Sequence, residues 1–324
     1  MSTPLSDYHY ELPEELIATR PAPARDGSRM MVVDRASGEI SHRMFRDFPS
    51  FLQEGDRVAL NNSRVIKARL LAEEGRIEIF LLEEIAKRRW KCLTRPGRKF
   101  RPGAVVAIAG TEARVLEVLP GGERIVKFLS EPNLETHGHL PIPPYFKRGS
   151  DSHDDDRYQT VYARTPGSVA APTAGLHFTP DVLASIPHSF LTLHVGAGTF
   201  LPVKSERIED HFMHEERYEI SAGTAGELNA ARRIVAVGTT VARVLESRKE
   251  ATLEACSGRT DIFIYPPYDF LRVGALLTNF HLPCSTLLIL VSAFAGRDLI
   301  LRAYAEAVRE RYSFFSYGDC MLLL

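Results

Sequence analysis

Between residues 57 and 128 the chain breaks into short β-rich runs, at 57–60, 67–71, 76–82, 90–94, 105–108, 112–118 and 124–128. No helical pattern of any length separates them. Turn signals do: Glu74-Gly75, Pro96-Gly97, Pro102-Gly103 and Pro120-Gly121-Gly122. Strands this short cannot each bury a core alone, and at this spacing they predict a small antiparallel β-barrel. The flanking sequence reads differently. Residues 11–19 predict a helix, with Pro13 tolerated in its first turn. Residues 29–35 predict a strand, which Ser37-Gly38 turns back into 39–45 as a hairpin partner. From Tyr158 onward the patterns alternate, with helices expected at 179–186, 222–231, 241–248 and 299–312. Strands are expected at 191–195, 234–237, 261–265, 275–278 and 313–316. Alternation of this kind predicts an α/β layer. The expected fold is an α/β main domain, residues 1–58 and 140–324, with an inserted small antiparallel β-barrel domain at 59–139. A proline-rich connector, Leu140 to Tyr145, leads out of the insert.

Charge separates the two parts further. Lys and Arg number 40 and Asp and Glu 41, a net charge of −1 that argues against a polyanionic partner for the chain as a whole. The insert nevertheless carries KRRWKCLTRPGRKFR at 87–101, a basic run without an acid. Such a block attracts a nucleic-acid backbone through counterion release, with Arg95, Arg98 and Lys99 as its candidates. The plainer alternative is a solvated strand face balanced by Glu83 and Glu84. No window approaches the ~18–20 apolar residues needed to span a bilayer, and the longest apolar stretch, 287–295, reads as a buried strand or helix. The N-terminus has no basic-then-apolar pattern, so a cytoplasmic protein without a membrane partner is expected. Cys92, Cys256, Cys284 and Cys320 stand far apart and form no C-x-x-C pair, which disfavours zinc and redox sites.

Chemistry-bearing residues collect where the α/β strands should end. Val169 to Phe178 (VAAPTAGLHF) offers small residues that allow close approach, with Thr173, Gly175 and His177 among them. The apolar neighbours Leu176 and Phe178 would hold the His177 imidazole neutral. Leu193 to Phe200 (LHVGAGTF) places His194 beside Gly196 and Gly198. Gly238-Thr239-Thr240 joins a strand to a helix, either as an anion site at the helix N-terminus or simply as a tight turn. Thr278 to Pro283 (TNFHLP) supplies Asn279 and His281, and Ser313 to Asp319 (SFFSYGD) supplies Ser316, Tyr317 and Asp319. Polar groups gathered at several strand ends are the usual layout of a ligand crevice in an α/β sheet.

In this order, the motifs resemble the S-adenosylmethionine:tRNA ribosyltransferase-isomerase family of queuosine biosynthesis. The matching stretches include YELPEELIATRPAPARDGSRMMVVDR, NNSRVIKARL, LPIPPYFKR, PGSVAAPTAGLHFT, LTLHVGAGTF, AVGTT, TDIFIYPPYDF, LLTNFHLPCSTLLILVSAFAG and RYSFFSYGDCMLL. The resemblance runs from Asp7 to Leu323. It implies that S-adenosylmethionine is a substrate, that its ribosyl group goes to 7-aminomethyl-7-deazaguanine at a tRNA wobble position, and that epoxyqueuosine, adenine and methionine result. It implies no cofactor and no metal, and a monomer is expected. It also brings Asn62, Arg64 and Asp261 into the substrate-binding set. This chain departs from the family pattern at Ser63 (usually threonine), Pro267 (usually glycine) and Cys284 (usually lysine), and its loops after Phe178 and Leu228 are short. The change at 284 removes a possible phosphate contact.

The expected catalytic residues are His177, His194, His281 and Asp319, because a general base must lie near the acidic 5′ protons beside a sulfonium. A methyltransferase is the first rival, disfavoured because its glycine-rich turn should follow the first strand, whereas Val237-Gly238-Thr239 comes late. A non-catalytic RNA-binding barrel is the second, and it leaves the histidine motifs unexplained.

Overall fold

The computed structural model describes residues 3–196, 198, 203 and 205–324. Its central layer is a nine-stranded mixed sheet. In spatial order the strands are Cys256–Thr260, Glu216–Ile220, His188–Leu193, Asp56–Asn61, Arg233–Val237, Val273–Asn279, Cys320–Leu323, Arg29–Val33 and Ile40–Met44. The four from His188–Leu193 to Val273–Asn279 run parallel, so their carboxyl ends share one edge of the layer.

Alternation of side chains builds a core on each face. Ala59, Leu191, Ala236, Leu276 and Met321 face one core, which the helices Ala222–Asn229, Thr239–Ser247, Thr286–Ala295 and Arg297–Arg309 cover. Val58, Leu60, Val235, Val237 and Leu277 face the other, where Phe45, Phe48 and Phe178 pack as a cluster of rings. A sheet buried on both sides explains the near-continuous apolar strands.

The second layer is an antiparallel seven-stranded sheet in the order Gly138–His139, Arg69–Ala72, Ile77–Ala86, Arg89–Arg95, Arg124–Phe128, Thr111–Val118, Val105–Ile108. It curls around a core of its own, with Leu70, Ile79, Leu81, Trp90, Val115, Val126 and Phe128 inside. Its two terminal strands do not pair with each other, so the sheet is an open half-barrel.

Several elements differ from the sequence reading. The 57–60 run belongs to an interior strand of the nine-stranded sheet and is not the first strand of the curled one. Residues 11–19 hold only the single turn Glu14–Leu16, because Leu16 and Ala18 pair their backbones with Phe314 and that partner requires an extended chain. Residues 261–265 form no strand; the ladder lies just before them, at Cys256–Thr260, and Ile262, Phe263 and Tyr265 pack irregularly on the core. Residues 313–316 form no strand either, since Phe315 sits at φ 74°, and the last strand is Cys320–Leu323. The 287–295 run, open between strand and helix in the sequence, is the helix, with the Ser285 hydroxyl accepting from the Leu288 N–H at its start.

Candidate active site

A cavity of about 290 Å³ opens at the shared carboxyl edge of the parallel strands. Local sequence explains how its walls form. The strand Arg233–Val237 ends at Gly238, whose φ of 89° turns the chain directly into the helix Thr239–Ser247. The Gly238 N–H donates to the Leu277 carbonyl at 2.8 Å, which holds that turn against the neighbouring strand. Buried Asn61 ties down a third strand end: its Nδ2 donates to the Leu193 carbonyl at 2.9 Å and its Oδ1 accepts from the Leu193 N–H at 3.0 Å. Ser168 donates to Ser63 at 2.8 Å and accepts from the Val195 N–H at 3.0 Å. Val169 then enters the core of the curled sheet, while Ala170 and Ala171 line the cavity. The cavity therefore lies at the strand ends of the nine-stranded sheet, next in sequence to a residue that packs in the curled one.

Seven of the expected residues converge on it: Thr173, Gly238, Thr239, Thr240, Asn279, His281 and Ser316. Tyr145, Tyr158 and Cys284 line it as well. The two tyrosines escape sequence reasoning because aromatic residues in PIPPY and RYQT read as core; only their hydroxyls distinguish them. Tyr145 shares a short hydrogen bond with the Ser316 hydroxyl, and its ring lies 4.3 Å from that of Phe315. Among the described residues the lining carries no carboxylate, lysine or arginine, so its polarity comes from hydroxyls, amides, rings and helix ends.

The histidines occupy three different settings. His281 lines the cavity, with Nε2 2.9 Å from the Thr278 hydroxyl. Its backbone is pinned by Tyr304, whose oxygen accepts its N–H, and by Tyr10, whose hydroxyl donates to its carbonyl. Burial lowers its pKa to about 3, so the ring is neutral. His177 stands behind the cavity wall, fully buried. The Asn279 amide nitrogen donates to the Phe315 carbonyl at 3.0 Å and lies 3.4 Å from His177 Nε2. The carbonyl can only accept, which fixes the amide orientation and makes Nε2 the unprotonated nitrogen. Nδ1–H is then left to donate to Ser28 Oγ at 3.1 Å. Burial, and next the nearby Arg25, lower the His177 pKa to about 4. His194 lies outside the cavity lining, against Gly167 and with Arg217 nearby; burial first and that guanidinium second lower its pKa.

The remaining expected residues lie elsewhere. Both Asp319 oxygens accept backbone N–H groups, from Arg29 at 2.7 Å and Ser313 at 2.8 Å, and the carboxylate braces the start of the last strand. Burial raises its pKa. The Tyr317 hydroxyl donates to Asp154 at 2.9 Å. Burial opposes ionisation of Asp154, yet the Arg148 guanidinium and backbone donors bring its pKa down to about 2. Gly175 is a packing position, since a Cβ there would meet the Tyr162 hydroxyl at 2.1 Å. The Gly196 N–H donates to Glu216 at 3.0 Å, and Gly198 packs on the His214 ring. Ala197, Thr199 and Phe200 of the same motif lie outside the described residues. Asn62 accepts from Thr192 at 2.7 Å and lines a separate polar cleft with Arg164 and His188. Arg64 and Asp261 are exposed.

On the curled sheet, Arg95, Arg98 and Lys99 are exposed, with Arg95 3.4 Å from Glu78 and Lys99 2.6 Å from Glu73. Among the described residues no cluster of three or more His, Cys, Asp or Glu side chains could hold a metal, and no helix is long and apolar enough to cross a membrane.

Comparison with known proteins shows the family. The profile of the family described as queuosine biosynthesis protein matches residues 5–323. The S-adenosylmethionine:tRNA ribosyltransferase-isomerase of Natranaerobius thermophilus is 48% identical over 341 residues, covering 98% of this chain and 99% of that protein. The protein of the same name from Solibacter usitatus is 48% identical over 353 residues, covering 99% of each chain. The crystal structure of S-adenosylmethionine tRNA ribosyltransferase from Thermotoga maritima superposes with a TM-score of 0.57 at 40% identity, covering 98% of this chain and 100% of that one. This chain belongs to the queuosine biosynthesis protein family and is an enzyme of that family.

Proposed function

We propose that the chain transfers the ribosyl moiety of S-adenosylmethionine to 7-aminomethyl-7-deazaguanine at the wobble position of tRNA and isomerises it, giving epoxyqueuosine with release of adenine and methionine. The observation that carries this reading is an uncharged cavity at the strand ends in a chain related to the named ribosyltransferase-isomerases over its full length. A cationic sulfonium entering such a cavity finds aromatic rings, including those of Tyr145 and Phe315, in place of carboxylates.

The donor's sulfonium acidifies its 5′ C–H. A base that removes this proton forms an ylide, whose electron pair makes a C4′=C5′ double bond as the C4′–O4′ bond breaks. O4′ becomes the C1′ carbonyl oxygen as adenine leaves with the glycosidic electrons and takes a proton. The aminomethyl nitrogen adds to C4′, loses a proton and regenerates the ylide at C5′, whose carbon closes the ring on C1′. The resulting alkoxide forms the epoxide at C5′ as methionine leaves with the carbon–sulfur electrons. We assign proton acceptance to His281, since among the described residues it is the histidine whose side chain lines the cavity. His177 is assigned to positioning, through Asn279. His194, Asp319, Asn62, Arg64 and Asp261 lie off the cavity and are assigned no step in the reaction.

The curled sheet, as part of an insert at 59–139, is proposed to hold tRNA through Arg95, Arg98 and Lys99. The enzyme is proposed to act as a monomer in the cytoplasm, without a cofactor. The test is incubation with S-adenosylmethionine and precursor tRNA, followed by mass spectrometry of the digested nucleosides. Epoxyqueuosine and one equivalent of free adenine are expected. S-adenosylhomocysteine with a methylated nucleoside would overturn the proposal in favour of methyl transfer, and an unchanged nucleoside would overturn it in favour of RNA binding alone.

A further inference from the structure

Two buried polar atoms at the cavity are unsatisfied. Thr240 is 8% exposed and its Oγ1 has no partner among the described residues; Asn279 is 2% exposed and its Oδ1 has none either. Native structures rarely leave such atoms unpaired without a ligand or water to meet them. The two are of complementary kinds. Thr240 stands in the first turn of the helix Thr239–Ser247, which has no side-chain cap. The N–H groups of Thr239 and Thr240 lack intrahelical acceptors by helix geometry and find no other among the described residues. That end of the helix favours an anion. Asn279 Oδ1 is an acceptor only, because its amide nitrogen is committed to Phe315, and so it calls for a donor.

These opposite preferences are neighbours. Val237 pairs with Leu277 across adjacent parallel strands, so Gly238-Thr239 turns out of the sheet beside Thr278-Asn279, the last two residues of the neighbouring strand, and both segments line the cavity. A second helix, Thr286–Ala295, also opens on the cavity, but there the Ser285 hydroxyl already caps the Leu288 N–H.

We infer that this corner is an amino-acid subsite that takes a zwitterion: its carboxylate accepts from the Thr239 and Thr240 N–H groups and the Thr240 hydroxyl, while its α-ammonium donates to Asn279 Oδ1. A zwitterion brings no net charge, which matches a lining without charged side chains among the described residues. Resting on the proposed function, the occupant is the methionyl end of S-adenosylmethionine, and later the methionine product. The donor is thereby oriented with its amino-acid end at the helix and its sugar toward the rest of the cavity.

The test compares S-adenosylmethionine with its decarboxylated analogue on the wild-type enzyme and on Thr240→Val and Thr240→Ser. In the wild type, losing the carboxylate should raise KM by about 10-fold or more, the worth of a charge-assisted hydrogen bond. Thr240→Val should raise KM for S-adenosylmethionine about 10-fold and leave that for the analogue within about 2-fold, with Thr240→Ser restoring the difference. Equal penalties on both donors would overturn the subsite. So would a rise in the tRNA KM alone, which would make the anion an RNA phosphate. Calorimetry on the wild type covers the case of a variant that does not fold: methionine should bind at least about 10-fold tighter than methionine amide, and equal binding overturns the inference. Conversion of tRNA without discrimination between the two donors defeats this inference alone, whereas methionine binding without tRNA conversion defeats the proposed function alone.

Discussion

The nine-stranded layer and the curled sheet solve opposite problems with charge. Around the cavity of the first, titratable groups are buried and neutral: burial holds His281 and His177 with pKa values near 3 and 4. On the second, basic side chains crowd an exposed turn and strand, partly balanced by Glu73, Glu78 and Glu123. A pocket lined without charged side chains favours a reaction at one carbon, because dipoles and rings act more strongly away from bulk water. An exposed basic surface instead suits a long polyanion, whose recognition is spread over many weak contacts. One chain thus separates chemistry from grip. The comparison is broken if mutations in one region show the kinetic signature expected of the other.

The largest effect should come from His281→Ala. With the proposed acceptor removed, kcat should fall by about 100- to 10,000-fold, the usual range for general acid–base groups. The tRNA KM should stay within about 2-fold, because the residue lies in the neutral pocket. Single-turnover kinetics would check both numbers. Normal turnover would return the proton to another group, and a large change in tRNA KM would show that the pocket and the grip are not separable.

A smaller effect concerns stability and pH. His177 has a folded pKa of about 4, against about 6.5 in an unfolded chain. The unfolded state therefore binds more protons between those values, and stability, complete above pH 6.5, is lost as pH falls toward 4. The linkage amounts to roughly 2 kcal/mol at pH 5. A His177→Gln variant lacks this proton uptake, so its thermal midpoint should drop less than the wild type's between pH 7 and pH 5. Parallel drops would mean that His177 is not protonated on unfolding in that range. The same variant should lower kcat by about 10-fold through a loosened Asn279, far less than His281→Ala.

Much of this division was legible in the sequence, and the parts that were not share a physical reason. The carboxyl ends at Gly238 and Asn279 announced themselves because glycine, threonine and asparagine have little reason to end apolar strands except to turn or to bind. What the sequence could not specify was direction. Along an extended chain successive side chains point to opposite sides, so Val195 lines the cavity while neighbouring His194 does not. Nor could it distinguish a carboxylate that meets substrate from one that braces backbone: Asp319 ends a polar motif, yet both of its oxygens are taken by N–H groups of distant segments. Likewise 57–60 looked like the first of the small strands because composition does not show which sheet a strand joins; its partners, His188–Leu193 and Arg233–Val237, lie more than a hundred residues away.

The smallest effect should come from the grip. Changing Arg95, Arg98 and Lys99 together to Ala removes three exposed cations, two of which already face carboxylates at 3.4 Å and 2.6 Å. Their attraction for RNA is therefore discounted from the start: part of the charge is neutralised within the protein, and salt screens the remainder. The tRNA KM should rise only about 3- to 10-fold at low salt, and the slope of log KM against log salt should flatten by roughly 0.7 for each phosphate that the protein no longer neutralises. Because none of these residues lines the cavity, kcat at saturating tRNA and the KM for S-adenosylmethionine should not change. A rise in KM without any change in salt slope would mean that the run at 87–101 shapes the sheet without touching phosphate. A fall in kcat would mean that the curled sheet positions the wobble base for reaction as well as holding the RNA, which would tie together two regions that the structure already joins through Val169 and through Glu83, which pairs with Arg259 and Arg217.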